Sequence, residues 1–459
     1  MSRPYFRSGR TPWGGSFRDD KSQRTREVVP SPAPPVGDHI ETISWEDMLH
    51  KKASPEVASI GISGTELIAS YNWLDECYPK IIIPGKPPVW TPPLVRQQLQ
   101  EDNGIYYRDR NAAFYPKHPI EPAIVSVMQM HHTPQHVDVF ACGSTLGNLL
   151  RFLRGDDRPF RMLVEVVAGT VHLIRRENTP KEQILGVRGY GHTFPEAYTT
   201  WEADVKGSLS HQRIIKYRFC GLDMMVRFEG DGYIKSDKTP LRAGDEADLL
   251  DLLDGLGVDR AGKATSPDNS ESILHVGNAG AEVKQGQVFD LKTRSVKRQD
   301  EDILGEELPR LWVAQIPNFI LAFHDRGHFT DVRIQNVKDK VQNWEAQNQS
   351  LLRGFFHLLS HIIDTAGDYE DGELEIIRPA GGGLEIRKRA PDVGSVLSGP
   401  VRQSWAWWLS NGEDAGQDAR VAPLDMHTAK ETSSEDDSDE EADYTACDVY
   451  CGYCGKCAY

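Results

Sequence analysis

Two short stretches of the sequence combine apolar residues with charged side chains at spacings that suit phosphate chemistry. They are VRFEGDGY at 226–233 and GQVFDLKTR at 286–294. Each contains an apolar run typical of a buried strand, and each carries acidic side chains at or near its end. The second stretch also has a lysine two residues after its aspartate. Such a pair of strands could hold a catalytic site at one edge of a sheet.

The chemistry follows from the side chains themselves. Residues two apart on a strand share a face, so we expect Glu229 and Asp231 to project together, and likewise Asp290 and Lys292. Carboxylates on neighbouring strands can hold a hard divalent cation. A lysine beside them can orient or deprotonate a water and stabilise developing negative charge. These are the parts of a metal-dependent phosphodiesterase.

A solvated strand face is the commoner explanation for either triplet taken alone, because charged side chains are usually exposed and 26% of this chain is charged. The context favours function. Both triplets lie on candidate core strands, and a polar insertion at 236–278 separates them.

The chain has 459 residues and a net charge of −16. Seven of the acids lie between positions 435 and 443, and without them the remainder is still −9. This balance argues against a protein that coats nucleic acid through global attraction, so an RNA enzyme would need a local basic groove. We find no apolar run long enough to cross a membrane and no secretory signal. The sequence predicts an intracellular protein, nuclear or cytoplasmic.

The composition divides the chain into four parts. Residues 1–40 are rich in Arg, Ser, Pro and Gly, which predicts a disordered arm. A domain is expected at 41–410, including the insertion. An acidic disordered linker at 411–446 and a cysteine-rich tail at 447–459 follow.

Local patterns predict the elements around the two strands. Apolar spacing from Thr145 favours a short helix, and 160–175 reads as a hairpin turning at Ala168-Gly169. Glu196 falls in a predicted helix. The helix macrodipole would stabilise an acid in the first turn, and the same acid could equally be a metal ligand. A long helix is expected at 337–363, a hairpin at 374–389 and an aromatic packing element at 403–409.

The order of these elements resembles that of the DXO-type eukaryotic decapping nucleases, RNA 5′-end quality-control enzymes with a PD-(D/E)xK nuclease core. The resemblance spans roughly residues 71–331. It rests on six stretches in the family's order: Cys142-Gly-Ser-Thr-Leu146, the hairpin at 160–175, Gly191-His-Thr-Phe-Pro-Glu196, Glu229-Gly-Asp231, Asp290-Leu-Lys-Thr293 and Trp312-Val-Ala-Gln315. The implied fold is α+β (α/β), with a mixed β-sheet nuclease-like core flanked by helices and disordered N- and C-terminal arms.

The resemblance also implies roles for individual residues. The implied metal ligands are three carboxylates and one backbone carbonyl: Glu196, Asp231, Asp290 and the carbonyl of Leu291. The implied catalytic residues hold or position water, metal and the scissile phosphate: Glu229, Asp231, Asp290, Lys292 and Gln315. Because the ligands are oxygens, Mg²⁺ or Mn²⁺ is the expected cofactor.

Three positions depart from the family pattern. Cys142 stands where the family has an arginine, so a phosphate contact is missing unless another basic residue such as Arg151 or Arg188 replaces it. Asp290 stands where the family has glutamate. Asp223, on the same predicted strand as Glu229, is an alternative metal ligand to Asp231.

The tail adds a separate candidate site. Cys447, Cys451, Cys454 and Cys457 lie within eleven residues, which in a reducing compartment indicates a soft metal such as Zn²⁺ or redox-active thiols. The spacing is tighter than in ordinary zinc-finger loops.

Three functions are compatible with these features. The first is a metal-dependent hydrolase of RNA 5′ ends, of the decapping, pyrophosphohydrolase or 5′→3′ exoribonuclease type, with a 5′→3′ exoribonuclease as an implied partner. The second is a catalytically inactive nuclease-fold protein acting as an RNA- or protein-binding adaptor. The third, a prenyl transferase, is disfavoured because its aspartate-rich helical pairs are missing. The retained acids favour the first.

Overall fold

The computed structural model of the protein describes residues 31–51, 60–235, 273–369, 372–391 and 393–410. The predicted acidic linker, the cysteine tail, most of the insertion and most of the N-terminal arm lie outside these residues. Residues 31–37, within the predicted arm, contact the domain, since Arg161 Nη1 donates to the Pro34 carbonyl at 2.9 Å. The last residues of the predicted insertion form a strand.

The strands are, in chain order, β1 (His39–Ile43), β2 (Ile62–Leu74), β3 (Lys80–Gly85), β4 (Val89–Trp90), β5 (Val139–Cys142), β6 (Phe160–Val167), β7 (Thr170–Arg176), β8 (Thr199–Thr200), β9 (Ser208–Phe219), β10 (Leu222–Glu229), β11 (Gly232–Tyr233), β12 (His275–Gly280), β13 (Val288–Ser295), β14 (Asn318–Asp325), β15 (His328–Asn336), β16 (Glu373–Arg378) and β17 (Leu384–Lys388). They form two mixed sheets within the described residues. Eleven strands pair in the order β1-β17-β16-β6-β7-β5-β10-β9-β2-β3-β12, and six in the order β15-β14-β13-β11-β4-β8.

The helices are α1 (Trp45–His50), α2 (Arg110–Phe114), α3 (Glu121–Met130), α4 (Gly143–Leu153), α5 (Thr193–Tyr198), α6 (Ile303–Ala314), α7 (Lys338–Gln347), α8 (Gln349–Asp368) and α9 (Gly399–Ser410). The apolar faces of α4, α6 and α8 bury one side of the large sheet, with Trp312 and Phe355 in that core. Helices α3 and α9 bury the other side, where Trp405 is fully buried. Burial of both faces explains why β5 and β10 read as continuous apolar runs.

Two connections bring the small sheet against the large one. Strand β10 lies in the middle of the large sheet, and only Gly230 and Asp231 separate it from β11 of the small sheet. Helix α6 joins the parallel strands β13 and β14 and packs against α4 and β10. The C-terminal end of β10, the start of α4 and the middle of α6 therefore meet.

The predicted mixed α/β core is confirmed, as are the hairpin at 160–175 and the helix from Thr145. The turn of that hairpin has Ala168 and Gly169 at positive φ, 47° and 83°. The helix expected at 337–363 is two helices, α7 and α8, which meet at Asn348.

Candidate active site

A cleft of about 1040 Å³ opens where β5, β10, β13, α4 and α6 meet. Four of the predicted catalytic residues line it: Glu229, Asp231, Asp290 and Lys292. They come from both sheets, so the two sequence stretches do converge on one site.

The chain path at the first triplet differs from the sequence expectation. Strand β10 ends at Glu229, and the Gly230 amide donates to the His211 carbonyl at 2.9 Å before the chain enters β11. Glu229 and Asp231 therefore do not share one strand face. The Glu229 carboxylate is exposed and accepts from Arg110 Nη1 at 3.0 Å, whereas Asp231 turns toward the small sheet.

Asp231 is held against the second triplet. Its Oδ2 accepts the Leu291 amide at 2.7 Å, and Gly232 pairs with Phe289 across β11 and β13. A Cβ at Gly232 would overlap the Phe289 ring and the Pro88 carbonyl. A glycine is thus required for β11 to approach β13 closely enough to place Asp231 beside Asp290.

The second triplet is bound by a helix residue that the sequence analysis missed. Both oxygens of Asp290 accept from the Arg310 guanidinium, Oδ1 from Nη2 at 2.5 Å and Oδ2 from Nη1. Arg310 also donates through Nε to Glu307 at 2.9 Å, and Lys292 Nζ lies 2.9 Å from Glu307. Asp290 is 2% exposed, while the Arg310 side chain is 47% exposed on the cleft side.

These contacts set the ionisation of the buried acids. Burial and the adjacent Asp290 carboxylate raise the pKa of Asp231. Burial raises the pKa of Asp290 as well, and Arg310 opposes that rise. Burial also acts to raise the pKa of Glu307, but Arg310 and Lys292 outweigh it and lower that pKa. The site thus has two close carboxylates whose mutual repulsion is relieved by one guanidinium.

Four predicted ligands or catalytic residues are not among those that line the cleft: Glu196, Leu291, Gln315 and Asp223. Glu196 is on α5 as predicted, but within the described residues it does not group with the two aspartates as a cation site. Gln315 ends α6 with φ of 50°, and its Nε2 donates to the Trp312 carbonyl at 2.6 Å. Asp223 starts β10, about 20 Å along the strand from Glu229, and pairs with Arg218. The geometry thus favours Asp231 over Asp223.

The cleft is locally basic in an acidic chain. Ten lining residues are basic and eight are acidic, against a net charge of −16 for the whole sequence. The basic ones are Arg108, Arg110, Arg151, Arg154, Arg158, Arg175, Arg227, Lys292, Arg294 and Arg310. The lining therefore has a small excess of positive charge, opposite in sign to the charge of the whole chain.

Cys142 lies in the cleft, 8% exposed, at the N-terminus of α4. Its neighbour in register on β10 is Arg227, which also lines the cleft but is buried, with Nη1 donating to the Pro119 carbonyl at 3.2 Å. Arg151, on α4, lines the cleft as well, whereas Arg188 does not. Of the two replacements named from the sequence, only Arg151 therefore lines the cleft.

Gln212 is a second residue that the sequence analysis missed. It lies opposite Glu229 across β9 and β10, so it shares the face of the sheet that lines the cleft. The residue is 2% exposed, and its Nε2 has no hydrogen-bond partner among the described residues. Side chains alternate between the two faces along β9. Recognising the β9–β10 hairpin from the sequence would therefore have predicted that Gln212 faces the cleft. For Arg310 the signal is the β13–α6–β14 crossover, which lays α6 next to Asp290.

A divalent ion such as Mg²⁺ needs several hard oxygen donors. Within the described ranges, no three His, Cys, Asp or Glu side chains come together as a cation site, because Glu196 does not join the two aspartates. Two carboxylates and the Leu291 carbonyl are still hard oxygen donors. Mg²⁺ usually takes one or two carboxylates and completes its shell with water and substrate phosphate. The Asp231–Asp290 pair supplies that number of carboxylates, and the Arg310 guanidinium engages both oxygens of Asp290.

Two other sequence predictions concern the cysteine tail and membrane-spanning segments. The four cysteines of the predicted soft-metal site lie outside them. In the part of the chain that the structure covers, no helix has the length and apolar content needed to span a bilayer.

The sequence matches one protein family over most of its length. A family model described as a domain of unknown function, DUF8563, matches residues 48–373. No curated protein matches the sequence.

Among solved structures, S. pombe Rai1 in complex with 3′-FADP is similar with a TM-score of 0.50 and 11% identity, covering 76% of this chain and 99% of that one. Candida albicans Rai1 in complex with pU5 and Mn²⁺ gives 0.47 and 10%, covering 83% and 99%. K. lactis Dxo1 in complex with manganese gives 0.40 and 8%, covering 80% and 98%. The S. pombe structure confirms the fold resemblance inferred from the motif order, and the chain belongs to the DUF8563 family.

Proposed function

We propose that the protein acts on the 5′ ends of RNA, binding the phosphate-bearing end in the cleft and hydrolysing a phosphodiester or pyrophosphate bond there. The observation that carries this proposal is the convergence of Asp231, Asp290 and Lys292 in one cleft whose lining is rich in arginine. The Rai1-like fold and the complexes of those relatives with pU5 or 3′-FADP support it. The cleft volume suits a terminal nucleotide with its phosphates.

The protein's own residues would divide the work. Arg110, Arg151 and Arg227 would bind phosphate oxygens, since a guanidinium fits them in a bidentate way. Lys292, held on β13 by Glu307, would orient a water and stabilise charge on the phosphoryl oxygens. The buried amide of Gln212 would donate to the substrate at the position first assigned to Gln315.

Asp231 and Asp290, with the Leu291 carbonyl, would hold Mg²⁺ or Mn²⁺. Such an ion neutralises phosphoryl charge and lowers the pKa of a bound water. Glu229 and Glu196 remain predicted participants; Glu229 lines the cleft beside Arg110 and would accept a hydrogen bond from water near the ion.

The test is release of labelled product from 5′-triphosphorylated and unmethylated-capped RNA, with Mn²⁺, with Mg²⁺ and with EDTA. We expect metal-dependent release that D290N or K292A lowers by at least about 100-fold, since each removes charge stabilisation at the reacting phosphate. D231N should do the same and D223N should not, which separates the two predicted ligands. Full activity of D290N would refute the proposal.

A second function is favoured by one observation, the bidentate engagement of Asp290 by Arg310. If that pair persists with substrate bound, the cleft would bind phosphorylated RNA ends without hydrolysing them, as an adaptor would. Tight binding of 5′-phosphorylated RNA together with no product on any substrate would support it. A 5′→3′ exoribonuclease partner and a nuclear or cytoplasmic location belong to the proposal in either form.

A further inference from the structure

The Arg310 ion pair occupies the place that a divalent ion would need. Asp290 is buried, and both of its oxygens already have guanidinium donors. Asp231, the other acid of the pair, spends one oxygen on the Leu291 amide. A cation that is to bind both aspartates must therefore displace Arg310 from Asp290.

Arg310 is built to move. Its side chain is 47% exposed and lines the cleft, although the two residues that follow it on α6, Leu311 and Trp312, are buried. Its Nε remains bound to Glu307, which also binds Lys292. The guanidinium can thus swing about this contact from a carboxylate to a phosphate without disturbing the core, because both anions accept its two parallel N–H groups.

Charge balance ties the two events together. When Asp231 and Asp290 are both ionised, as they must be to bind a cation, their charges and that of Glu307 balance those of Lys292, Arg294 and Arg310. A divalent ion alone would leave an excess of two positive charges in a partly buried site, which is unfavourable. A phosphate group entering with the ion offsets that excess and gives Arg310 a new partner.

We propose that Arg310 is a positioning residue that competes with the divalent ion for Asp290 and is transferred to the substrate phosphate, so that metal and substrate bind cooperatively. The inference rests on the proposed function, because it requires that the aspartate pair bind a metal. It adds that the free protein holds this pair closed to metal through its own side chain.

The experiment is titration with Mn²⁺ followed by calorimetry and by the electron paramagnetic resonance signal of free Mn²⁺, with and without a saturating 5′-triphosphorylated oligoribonucleotide carrying phosphorothioate linkages. The wild type should bind Mn²⁺ at least about tenfold more tightly when the oligonucleotide is present. R310Q should bind Mn²⁺ at least about tenfold more tightly than the wild type in the absence of oligonucleotide and show little further gain with it.

R310K keeps the charge without the planar fork and should fall between the two. The matched control is R298Q, which removes an exposed arginine that pairs with Glu301 outside the cleft. It should leave Mn²⁺ affinity within about twofold of the wild type, so a general charge effect can be separated. Thermal melting of each variant checks that it is folded.

Equal Mn²⁺ affinity for wild type and R310Q, or equal cooperativity in both, would overturn the role of Arg310 while leaving a metal-dependent enzyme intact. Absence of Mn²⁺ binding by every folded variant, with or without oligonucleotide, would overturn both the metal-dependent function and this inference. The two failures are therefore distinguishable.

Discussion

Two buried carboxylates of this molecule are both held by arginine, yet their surroundings differ. Glu165, on β6, is fully buried and accepts from Arg389 at 2.7 Å, from Arg402, from Ser395 Oγ at 2.8 Å and from the Val396 amide at 3.1 Å. Asp290 has one arginine, and that arginine faces an open cleft. Glu165 has four donors, three from residues 389–396 before α9 and one, Arg402, from α9 itself.

The difference separates a structural ion pair from an exchangeable one. Around Glu165, every lone pair has a fixed partner and Arg389 is 4% exposed, so the cluster anchors the C-terminal segment to the large sheet. Around Asp290, the guanidinium can reach water or a ligand. A buried acid is therefore a candidate for catalysis or ligand binding when its partner can exchange, and for a structural role when its partner is fixed.

The largest effect is expected at Glu165. E165A should lower the free energy of unfolding by about 3–5 kcal/mol, because it leaves the buried Arg389 with Glu373 alone and removes the acceptor of the Ser395 hydroxyl and the Val396 amide. Urea denaturation of the purified protein measures this change. A loss below about 1 kcal/mol would mean that the cluster does not anchor the C-terminal segment.

His172, beside Glu165, gives this region a pH dependence. Its Nε2 accepts from Trp405 Nε1 at 3.0 Å, and burial lowers its pKa to about 4. Since the unfolded chain protonates near 6.5, stability should be constant above that pH and fall by up to about 3 kcal/mol as the pH drops toward 4. Urea denaturation at pH 7.0 and 4.5 should show a smaller pH effect in H172Q than in the wild type. H136Q, at an exposed site, serves as the control.

D290N should have a much smaller effect on stability than E165A, within about 1 kcal/mol, because Arg310 is half-exposed and can turn to solvent. The same variant should abolish RNA hydrolysis. Urea denaturation beside the activity assay tests both. A loss comparable to that of E165A would erase the distinction between the two regions.

The smallest effect is expected at the cleft rim. Arg154 is exposed and lines the cleft, so R154Q should weaken binding of 5′-phosphorylated RNA a few-fold and reduce the slope of log affinity against log salt by about 0.7. Fluorescence anisotropy at several salt concentrations measures this. R298Q should leave the slope unchanged, and an unchanged slope in R154Q would place the RNA elsewhere.

Local patterns in the sequence predicted much of the fold. The 160–175 hairpin, the helix from Thr145 and the hairpin near 374–389 follow from alternation, apolar spacing and turn residues. The break at Asn348 could not be predicted, because the apolar spacing continues across it. In the site, the sequence correctly predicted that Asp290 and Lys292 lie on one strand. It did not predict that β10 ends at Glu229, because the spacing of apolar residues does not show where the chain passes from one sheet to the other.

The residues missed in the site have a common reason. Arg310 meets Asp290 only because the β13–α6–β14 crossover folds the helix back, and Gln212 meets the cleft through the pairing of β9 with β10. Glu196 was assigned through a motif, and its distance from the aspartates depends on how α5 packs. Sequence gives the types of residue available, while long-range packing decides which of them meet.

The passage of the chain from one sheet to the other at Gly230 has a consequence for folding order. Asp231 and its partner amide at Leu291 are 60 residues apart, so β11 can pair with β13 only by closing a loop of that length. The large sheet can form its central hairpin early, since β9 and β10 are adjacent. A ligand that requires both aspartates would therefore bind only molecules in which the two sheets have docked. The rate of its binding during refolding would report the rate of that docking.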